Sequence, residues 1–366
     1  MGVGWTTVPF HWDAIQPSGP ADWNAPVSDA DLSLVLACGQ QVVGVLAGVP
    51  PWATDPQTGL PQGLDLPAED ARNLWATFVQ TTVRLYAGRI NYWMVWDQPD
   101  DPERWPGTAA DYVRLLQVSY QVIRRENPAS VVLLGGLAHW PTVLRGEPPL
   151  IESLLRKCSA QALCPFDVLA LHVSSPPESL YDLSVLYHRL MERSGLERPV
   201  WVLATVPEDG GDSAPSSFLL QTVALSLAGG TERVAFSLPA DSGHTDIRQT
   251  MRAYPVVALH LAGFRTAQWE RRDAVSVVTL DRGAQRTTVA WSRRPEDQTV
   301  MLPALTTRAL LVWPGGETRI VHPDRGYYTL TLPGCTEDPC TGGMPLMLVE
   351  ENPAGIRPTP VGIFQP

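Results

Sequence analysis

The segment INYWMVWDQPDDPERW, residues 90–105, joins an apolar run of strand length to a polar, turn-rich stretch. The apolar run ends abruptly at Asp97-Gln98-Pro99-Asp100, and tryptophans surround that end at positions 93, 96 and 105. A tryptophan offers a broad apolar face together with one polar N–H group. Aromatic faces beside a polar strand end are a common way for proteins to hold sugars, so we expect a binding site here.

Similar apolar runs recur through the first 240 residues and are separated by segments of helical period. They lie at residues 3–10, 41–48, 90–96, 130–136, 166–173, 199–205 and 233–239. Strands that alternate with helices indicate parallel βαβ units, and uniformly apolar strands are typical of a sheet covered by helices. No Gly-x-Gly-x-x-Gly motif follows the first strand, which disfavours a dinucleotide-binding sheet. The pattern therefore predicts an α/β fold, a (β/α) barrel of the TIM type.

The number of strands is one short of a full barrel, because seven runs are present and eight are needed. We expect the first strand to be missing from this numbering. An unfilled position would expose two strand edges and an apolar seam, which favours pairing with another strand. Three outcomes follow: the gap closes, another segment of the chain fills it, or a protein partner occupies the seam.

The strand pattern changes after residue 262. Six short strand-like runs follow at regular intervals with turn residues between them, which is typical of an antiparallel sandwich. The predicted domains are therefore a barrel at 1–262, a small β-sandwich at 263–349 and a proline-rich, extended tail at 350–366. The tail is the first candidate to lie near the seam.

Composition excludes several classes of partner. The 366 residues include 27 Lys plus Arg and 38 Asp plus Glu, for a net charge of −11. That charge disfavours nucleic acid, whose phosphates need a basic surface. No apolar run is long enough to span a bilayer. We expect no cofactor and no metal, since no ligand set with metal-site spacing is present.

The cysteines predict two local disulfides. Cys158 and Cys164 close one short loop, and Cys335 and Cys340 close another. Cys38 lies in an apolar helical run, and we expect it to be a buried free thiol. Disulfides favour an extracellular or cell-surface location. Met1 leads directly into a strand-like segment, so we expect any leader to lie upstream of this numbering.

The ordered series of segments resembles the clan A glycoside hydrolases, closest in style to families 5 and 39. The resemblance covers roughly residues 2–345 and includes the C-terminal β domain. It rests on these stretches, similar in order to the second, third, fourth, fifth, sixth and seventh strands of that family: GWTTVPFHWDAIQP, VVGVLAGVPPWA, YAGRINYWMVWDQPD, YVRLLQVSYQVIRRENPASVVLLGG, FDVLALHV and RPVWVLAT. It implies glycoside hydrolysis by two glutamates on facing strands.

Both catalytic positions are changed in this chain. Members of the family read Trp-Asn-Glu-Pro-Asn at the fourth strand, and the acid/base glutamate falls at Gln98. An amide cannot deliver a proton near neutral pH. The nucleophilic glutamate of the seventh strand falls at Ala204, which has no nucleophile. We therefore expect no catalytic residue at either position.

The supporting residues depart from the family as well. Asp97 replaces an asparagine, Thr7 replaces an arginine, and Ser174 replaces the tyrosine of a His-x-Tyr motif, although His172 remains. Loss across the whole site indicates a pseudo-glycosidase that no longer depends on catalysis.

Three functions follow from this interpretation. The first is a catalytically inactive surface or scaffold subunit. The second is a carbohydrate-binding protein, with a site formed by Trp12, Trp52, Trp96, Asp97, Gln98, Trp105 and His172. The third is an active glycosidase with relocated acids, Asp97 and Glu208, because an inverting mechanism tolerates a separation of about 6.5–9.5 Å. Tryptophans that line an open pocket would favour binding, and tryptophans covered by loops would favour a scaffold.

Overall fold

The computed structural model describes residues 4–160, 164–205, 214–237, 244–335 and 342–351. Contacts between Cα atoms divide these residues into two compact units. One unit comprises residues 4–173 and 186–203, and the other comprises residues 174–185 and the described residues from 204 onwards. Asp97, Gln98, Gly136 and His172, which form the candidate site described below, all belong to the first of these units.

The seven apolar runs form one seven-stranded sheet. Its strands are β1 (Trp5–His11), β2 (Gln41–Ala47), β3 (Tyr92–Asp97), β4 (Val131–Leu137), β5 (Val168–Val173), β6 (Val200–Thr205) and β7 (Arg233–Ser237). They follow one another in chain order across the sheet, and the pairs from β1 to β5 are parallel. This confirms a parallel, barrel-like sheet of seven strands, and a missing first strand stays a prediction.

Helices follow most of these strands, and the side chains of Ser28, Asn73 and Thr108 cap three of the helices. The helices are α1 (Trp12–Ile15), α2 (Asp29–Ala37), α3 (Leu74–Leu85), α4 (Ala109–Glu126), α5 (Trp140–Leu144), α6 (Leu150–Ala160), α7 (Pro177–Arg193), α8 (Ala214–Ala228) and α9 (His244–Leu261). The acidic residues Glu69 and Asp70 precede α3 and do not cap its first turn. Asn73 caps the helix instead, because its side chain accepts a hydrogen bond from the Ala76 N–H.

Aromatic rings fill the amino end of the sheet. Trp201 contacts Trp5 with ring centroids 5.4 Å apart and Tyr92 at 5.6 Å. All three residues lie at or near the start of a strand. Because this end is packed with side chains, the opposite end, where the strands finish, is the one available for a site.

The outer edge of β1 is interrupted by a proline. The carbonyl of Gly4 accepts a hydrogen bond from the Gln41 N–H, so the backbone groups of Gly4 face β2. Successive residues of a strand alternate in direction, which turns Trp5, Thr7 and Pro9 towards the outer edge. Pro9 has no N–H to offer there. A strand added along this edge would therefore lose a hydrogen bond at its centre.

The C-terminal β domain is antiparallel, as the sequence predicts. Its strands are β8 (Thr266–Arg271), β9 (Val275–Asp281), β10 (Gln285–Ser292), β11 (Gln298–Pro303), β12 (Ala309–Val312), β13 (Thr318–Val321), β14 (Tyr327–Leu332) and β15 (Leu346–Glu351). Six of them form a sheet in the order β13-β12-β15-β10-β9-β8, and β11 pairs with β14. Glu350 and Glu351, assigned to the extended tail from the sequence, lie in β15. Residues 352–366 lie outside the described part of the chain.

The cysteines match the expectation in part. Cys158 and Cys164 form a disulfide. Cys38 is unbridged, but it is exposed, and the prediction that it is buried is wrong. It follows a helix in which only Leu32 is buried. Cys340 lies outside the described residues, so its pairing with Cys335 stays a prediction.

Two features are absent from the part of the chain that the structure describes. No helix there is long and apolar enough to cross a membrane. No group of three or more His, Cys, Asp and Glu side chains is arranged there to hold a metal ion.

A buried ion pair stabilises the β domain, and its removal is testable. The Glu350 side chain is fully buried and accepts hydrogen bonds from Arg286 and from the backbone N–H groups of Leu305 and Thr306. We expect Glu350→Ala to lower the free energy of unfolding by about 3–5 kcal/mol, because it leaves the Arg286 charge unpaired. Urea denaturation measures this change. The matched control is Glu351→Ala, the exposed neighbour in the same strand, and equal losses in both variants would refute the assignment.

Candidate functional site

The backbone at the end of β3 adopts an unusual conformation. Trp96 and Gln98 have φ angles of 63° and 52°, in a region that non-glycine residues seldom occupy. Two hydrogen bonds hold this turn. The Gln98 N–H donates to the Gly136 carbonyl at 2.9 Å, and the Trp96 indole N–H donates to the Arg104 carbonyl at 2.9 Å. Strained backbone of this kind is common at binding and catalytic sites.

Asp97 and His172 form a close pair across β3 and β5. Both carboxylate oxygens of Asp97 lie 2.9 Å from Nδ1 of His172. The side chains are 26% and 16% exposed respectively, so water reaches the pair only in part. An ionised carboxylate can only accept hydrogen bonds, so the pair forms with the proton on Nδ1, whose N–H donates a hydrogen bond to Asp97. The sequence placed both residues at the site, and the structure brings them together.

Gly136 leaves the space in which this pair forms. It lies opposite Asp97 in the register of β3 and β4. A Cβ atom at Gly136 would lie 2.3 Å from Oδ1 of Asp97 and 2.7 Å from Cβ of His172. Those distances are far below van der Waals contact. A residue with a side chain at position 136 would therefore push the carboxylate and the imidazole apart.

Gln98 is turned towards the main chain of β5. Its Nε2 donates a hydrogen bond to the His172 carbonyl at 3.2 Å. A glutamate in the same rotamer would place an oxygen against that carbonyl, which is repulsive unless the carboxyl is protonated. The glutamine amide therefore fits this environment better than an ionised glutamate would.

The remaining predicted positions are placed as follows. Ala204 is fully buried in β6, Thr7 is half-buried in β1, and Ser174 is exposed directly after β5. Glu208 lies outside the described residues, so a relocated acid pair of Asp97 and Glu208 stays a prediction.

Most of the predicted tryptophan platforms are core residues. Trp12, Trp96 and Trp105 are only 1%, 7% and 3% exposed. Successive ring contacts join five indoles, with centroids 4.8–6.2 Å apart, in the order Trp52, Trp12, Trp75, Trp96, Trp105. These three indoles pack in the interior and present little open face for stacking, and their role in binding a carbohydrate stays a prediction. Trp52, the fourth predicted platform, is half-buried.

Asp100, His139 and Tyr187 form a buried polar cluster that the sequence did not predict. Asp100 is 5% exposed, and its carboxylate accepts hydrogen bonds from the N–H groups of Ala138 and His139, each at 2.8 Å. His139 has a φ of 65°, and its Nδ1 lies 3.2 Å from the Tyr187 hydroxyl. Burial raises the pKa of Asp100 and lowers the pKa of His139. Asp100 thus fixes the loop after β4, through a backbone contact that no sequence pattern reveals.

Comparison with known proteins shows the fold. No family model and no curated protein matches the sequence. A family 39 glycoside hydrolase from the gut symbiont Bacteroides cellulosilyticus WH2 has a similar structure, with a TM-score of 0.69 and 16% identity over 95% of this chain and 75% of that chain. A GH30 endoxylanase from Clostridium papyrosolvens C71 has a TM-score of 0.64 and 13% identity over 95% of this chain and 89% of its own.

A conserved exported protein from Bacteroides fragilis is also similar, with a TM-score of 0.58 and 10% identity over 94% of this chain and 87% of its own. At these identities the likeness shows a shared glycoside-hydrolase-like barrel fold and nothing finer.

The space at Gly136 is tested by filling it. We expect Gly136→Ala to separate Asp97 from His172 and to lower the free energy of unfolding by about 1–3 kcal/mol, because the added methyl group overpacks the site. The measurement is NMR of the His172 imidazole together with urea denaturation. Gly4→Ala is the control, since open space surrounds that position. Unchanged His172 resonances in Gly136→Ala would contradict the assignment.

The burial of Asp100 predicts a particular dependence of stability on pH. Its folded-state pKa lies above its ordinary value of 3.8, because burial outweighs the two N–H groups that favour the charged form. The folded state then binds the proton more tightly than the unfolded state, so stability falls as pH rises above about 4 through the folded-state pKa.

Asp100→Asn should remove this contribution. The quantity to compare is the unfolding free energy of the wild type minus that of Asp100→Asn. We expect this difference to be larger near pH 4 than near pH 7. His139 titrates in both proteins, so the subtraction cancels its opposite effect. Urea denaturation across this pH range gives the two curves, and parallel curves would show that the buried carboxyl has no raised pKa.

Proposed function

We propose that this chain is a glycoside-hydrolase-like protein that does not cleave glycosides and that acts as an extracellular surface or scaffold subunit. One observation carries the proposal. The polar groups at the end of β3 are satisfied within the protein, since the Gln98 amide bonds the His172 carbonyl and the Asp97 carboxylate bonds the His172 ring.

The chemistry of glycoside cleavage supports the same conclusion. A retaining enzyme needs one carboxyl group to protonate the leaving oxygen and a second to attack the anomeric carbon. The family resemblance places these groups at Gln98 and Ala204, and neither side chain can perform its step. Asp97 is a poor substitute for the acid, because it is committed to His172 as a hydrogen-bond acceptor.

The packing of the tryptophans favours a scaffold over sugar binding at the barrel mouth. Trp96 and Trp105, the two indoles beside Gln98, are 7% and 3% exposed and donate their N–H groups to the carbonyls of Arg104 and Thr108. They offer no open face for a sugar ring to stack against. Their rigid packing maintains the shape of the fold without a substrate.

Two observations support an extracellular location. The Cys158–Cys164 disulfide suits an oxidising compartment. One protein of similar structure is described as a conserved exported protein. For the protein partner of a scaffold, the edge of β1 is the first candidate surface. Pro9 disfavours a continuous added strand there, so the partner would contact side chains.

The proposal predicts that the chain is hydrolytically silent. We expect no release of nitrophenol from aryl β- or α-glycosides of common sugars, and no reducing ends from xylan or β-glucan, above a heat-denatured sample. The physical reason is the absence of both the proton donor and the nucleophile. Product release is followed at several pH values by absorbance and by a reducing-sugar assay.

The double substitution Gln98→Glu and Ala204→Glu is the companion measurement, and we expect it to stay inactive. The new acid at 98 would face the His172 carbonyl, and Asp97, Thr7 and Ser174 would still lack the family's substrate contacts. Turnover by the wild type that disappears in Asp97→Asn would overturn the proposal and establish relocated acids.

A further inference from the structure

A groove on the first unit lies between the segment that follows β1 and helix α3, and its lining does not include Asp97, Gln98 or His172. Its volume is about 320 Å³, at the lower end of the range for small-molecule sites. Six of its lining residues matter here, and we call them the aromatic groove: Asp22, Trp23, Trp52, Thr77, Phe78 and Thr81.

The floor of the aromatic groove is rigid and apolar. The Trp52 indole N–H donates to the Gln16 carbonyl at 2.7 Å, which fixes the orientation of the ring. Phe78 is buried and stacks on Trp12, with centroids 5.0 Å apart and planes 16° apart. Trp23 and Trp52 are both half-buried, so each retains accessible ring surface. A flat ligand with an apolar face can stack here with little loss of side-chain entropy.

Three side chains of the groove, Thr77, Thr81 and Asp22, offer oxygen acceptors to a ligand. The Thr77 hydroxyl donates a hydrogen bond to the Asn73 carbonyl at 3.2 Å, and the Thr81 hydroxyl donates one to the Thr77 carbonyl at 3.0 Å. The lone pairs of both hydroxyl oxygens therefore remain available as acceptors. One carboxylate oxygen of Asp22, Oδ2, accepts from the Ser18 N–H at 3.0 Å. Its second oxygen has no hydrogen-bond partner among the described residues. The groove therefore complements a ligand that brings several donors of its own.

We infer that the aromatic groove binds a neutral saccharide of one or two rings. A sugar ring has an apolar C–H face for the indoles and hydroxyl groups that donate to Thr77, Thr81 and Asp22. A purely apolar ligand would desolvate the Asp22 carboxylate without compensation. An acidic sugar would meet the Asp22 charge and be repelled. This function goes beyond the proposed scaffold role and does not depend on whether the Gln98 site is active.

Calorimetric titration of the full chain tests this inference. The probes are cellobiose, xylobiose and maltose, with digalacturonic acid as the charged comparison. We expect at least one neutral disaccharide to bind and digalacturonic acid not to bind. Trp23→Ala should weaken the binding by about tenfold or more, because the stacking face is lost. Trp140→Ala is the matched control, as Trp140 is 38% exposed and does not line the groove, and it should leave affinity unchanged.

Two results would overturn the inference. One is the absence of any neutral disaccharide binding up to about 10 mM. The other is binding that survives Trp23→Ala but disappears in His172→Ala, which would place the ligand at the Gln98 site. If Trp23→Ala does not fold, as judged by circular dichroism, Thr81→Val and Asp22→Asn replace it. Each removes one acceptor and should weaken binding several-fold, and unchanged affinity in both would also refute the site.

Discussion

The backbone turn at the end of β3 is the constraint on which the site depends. Two non-glycine residues, Trp96 and Gln98, have positive φ angles there, at a cost of roughly 1–3 kcal/mol each. Hydrogen bonds to the carbonyls of Gly136 and Arg104 offset part of that cost. Because the turn is fixed, Asp97 and Gln98 both reach His172 on β5, one through its ring and the other through its carbonyl.

The same turn links the polar site to the aromatic core. Trp96 contacts Trp75 and Trp105, and Trp75 continues the contacts to Trp12 and Trp52. Trp12, Trp96 and Trp105, which resemble a sugar platform in sequence, are thus buried packing that supports the strand ends. Gly136 belongs to this arrangement too, because only a residue without Cβ leaves room for Asp97 beside His172. Packing among the indoles and the space at Gly136 therefore fix the geometry of these strand ends.

The sequence predicts the parts of this structure that depend on local patterns. Apolar runs located all seven strands of the parallel sheet, and the regular short runs located most of the β domain. It missed β8, whose exposed, charged residues lack an apolar run, and it missed β15, whose last two residues were assigned to the tail. The Asp97–His172 pair was not predicted, because 75 residues separate its members. Trp23 was missed as well, since only the folded chain brings it beside α3.

The central claim is that the end of β3 has exchanged catalytic groups for internal hydrogen bonds, which leaves no nucleophile to attack a sugar. Intact-mass spectrometry after incubation with 2-deoxy-2-fluoro glycosides tests it most directly, because such compounds accumulate as covalent glycosyl-enzymes on retaining glycosidases. The account predicts an unchanged protein mass for glucosyl, xylosyl and arabinosyl reagents. A mass increase of one fluoroglycosyl group, located by peptide mapping to any carboxylate of the chain, would contradict it.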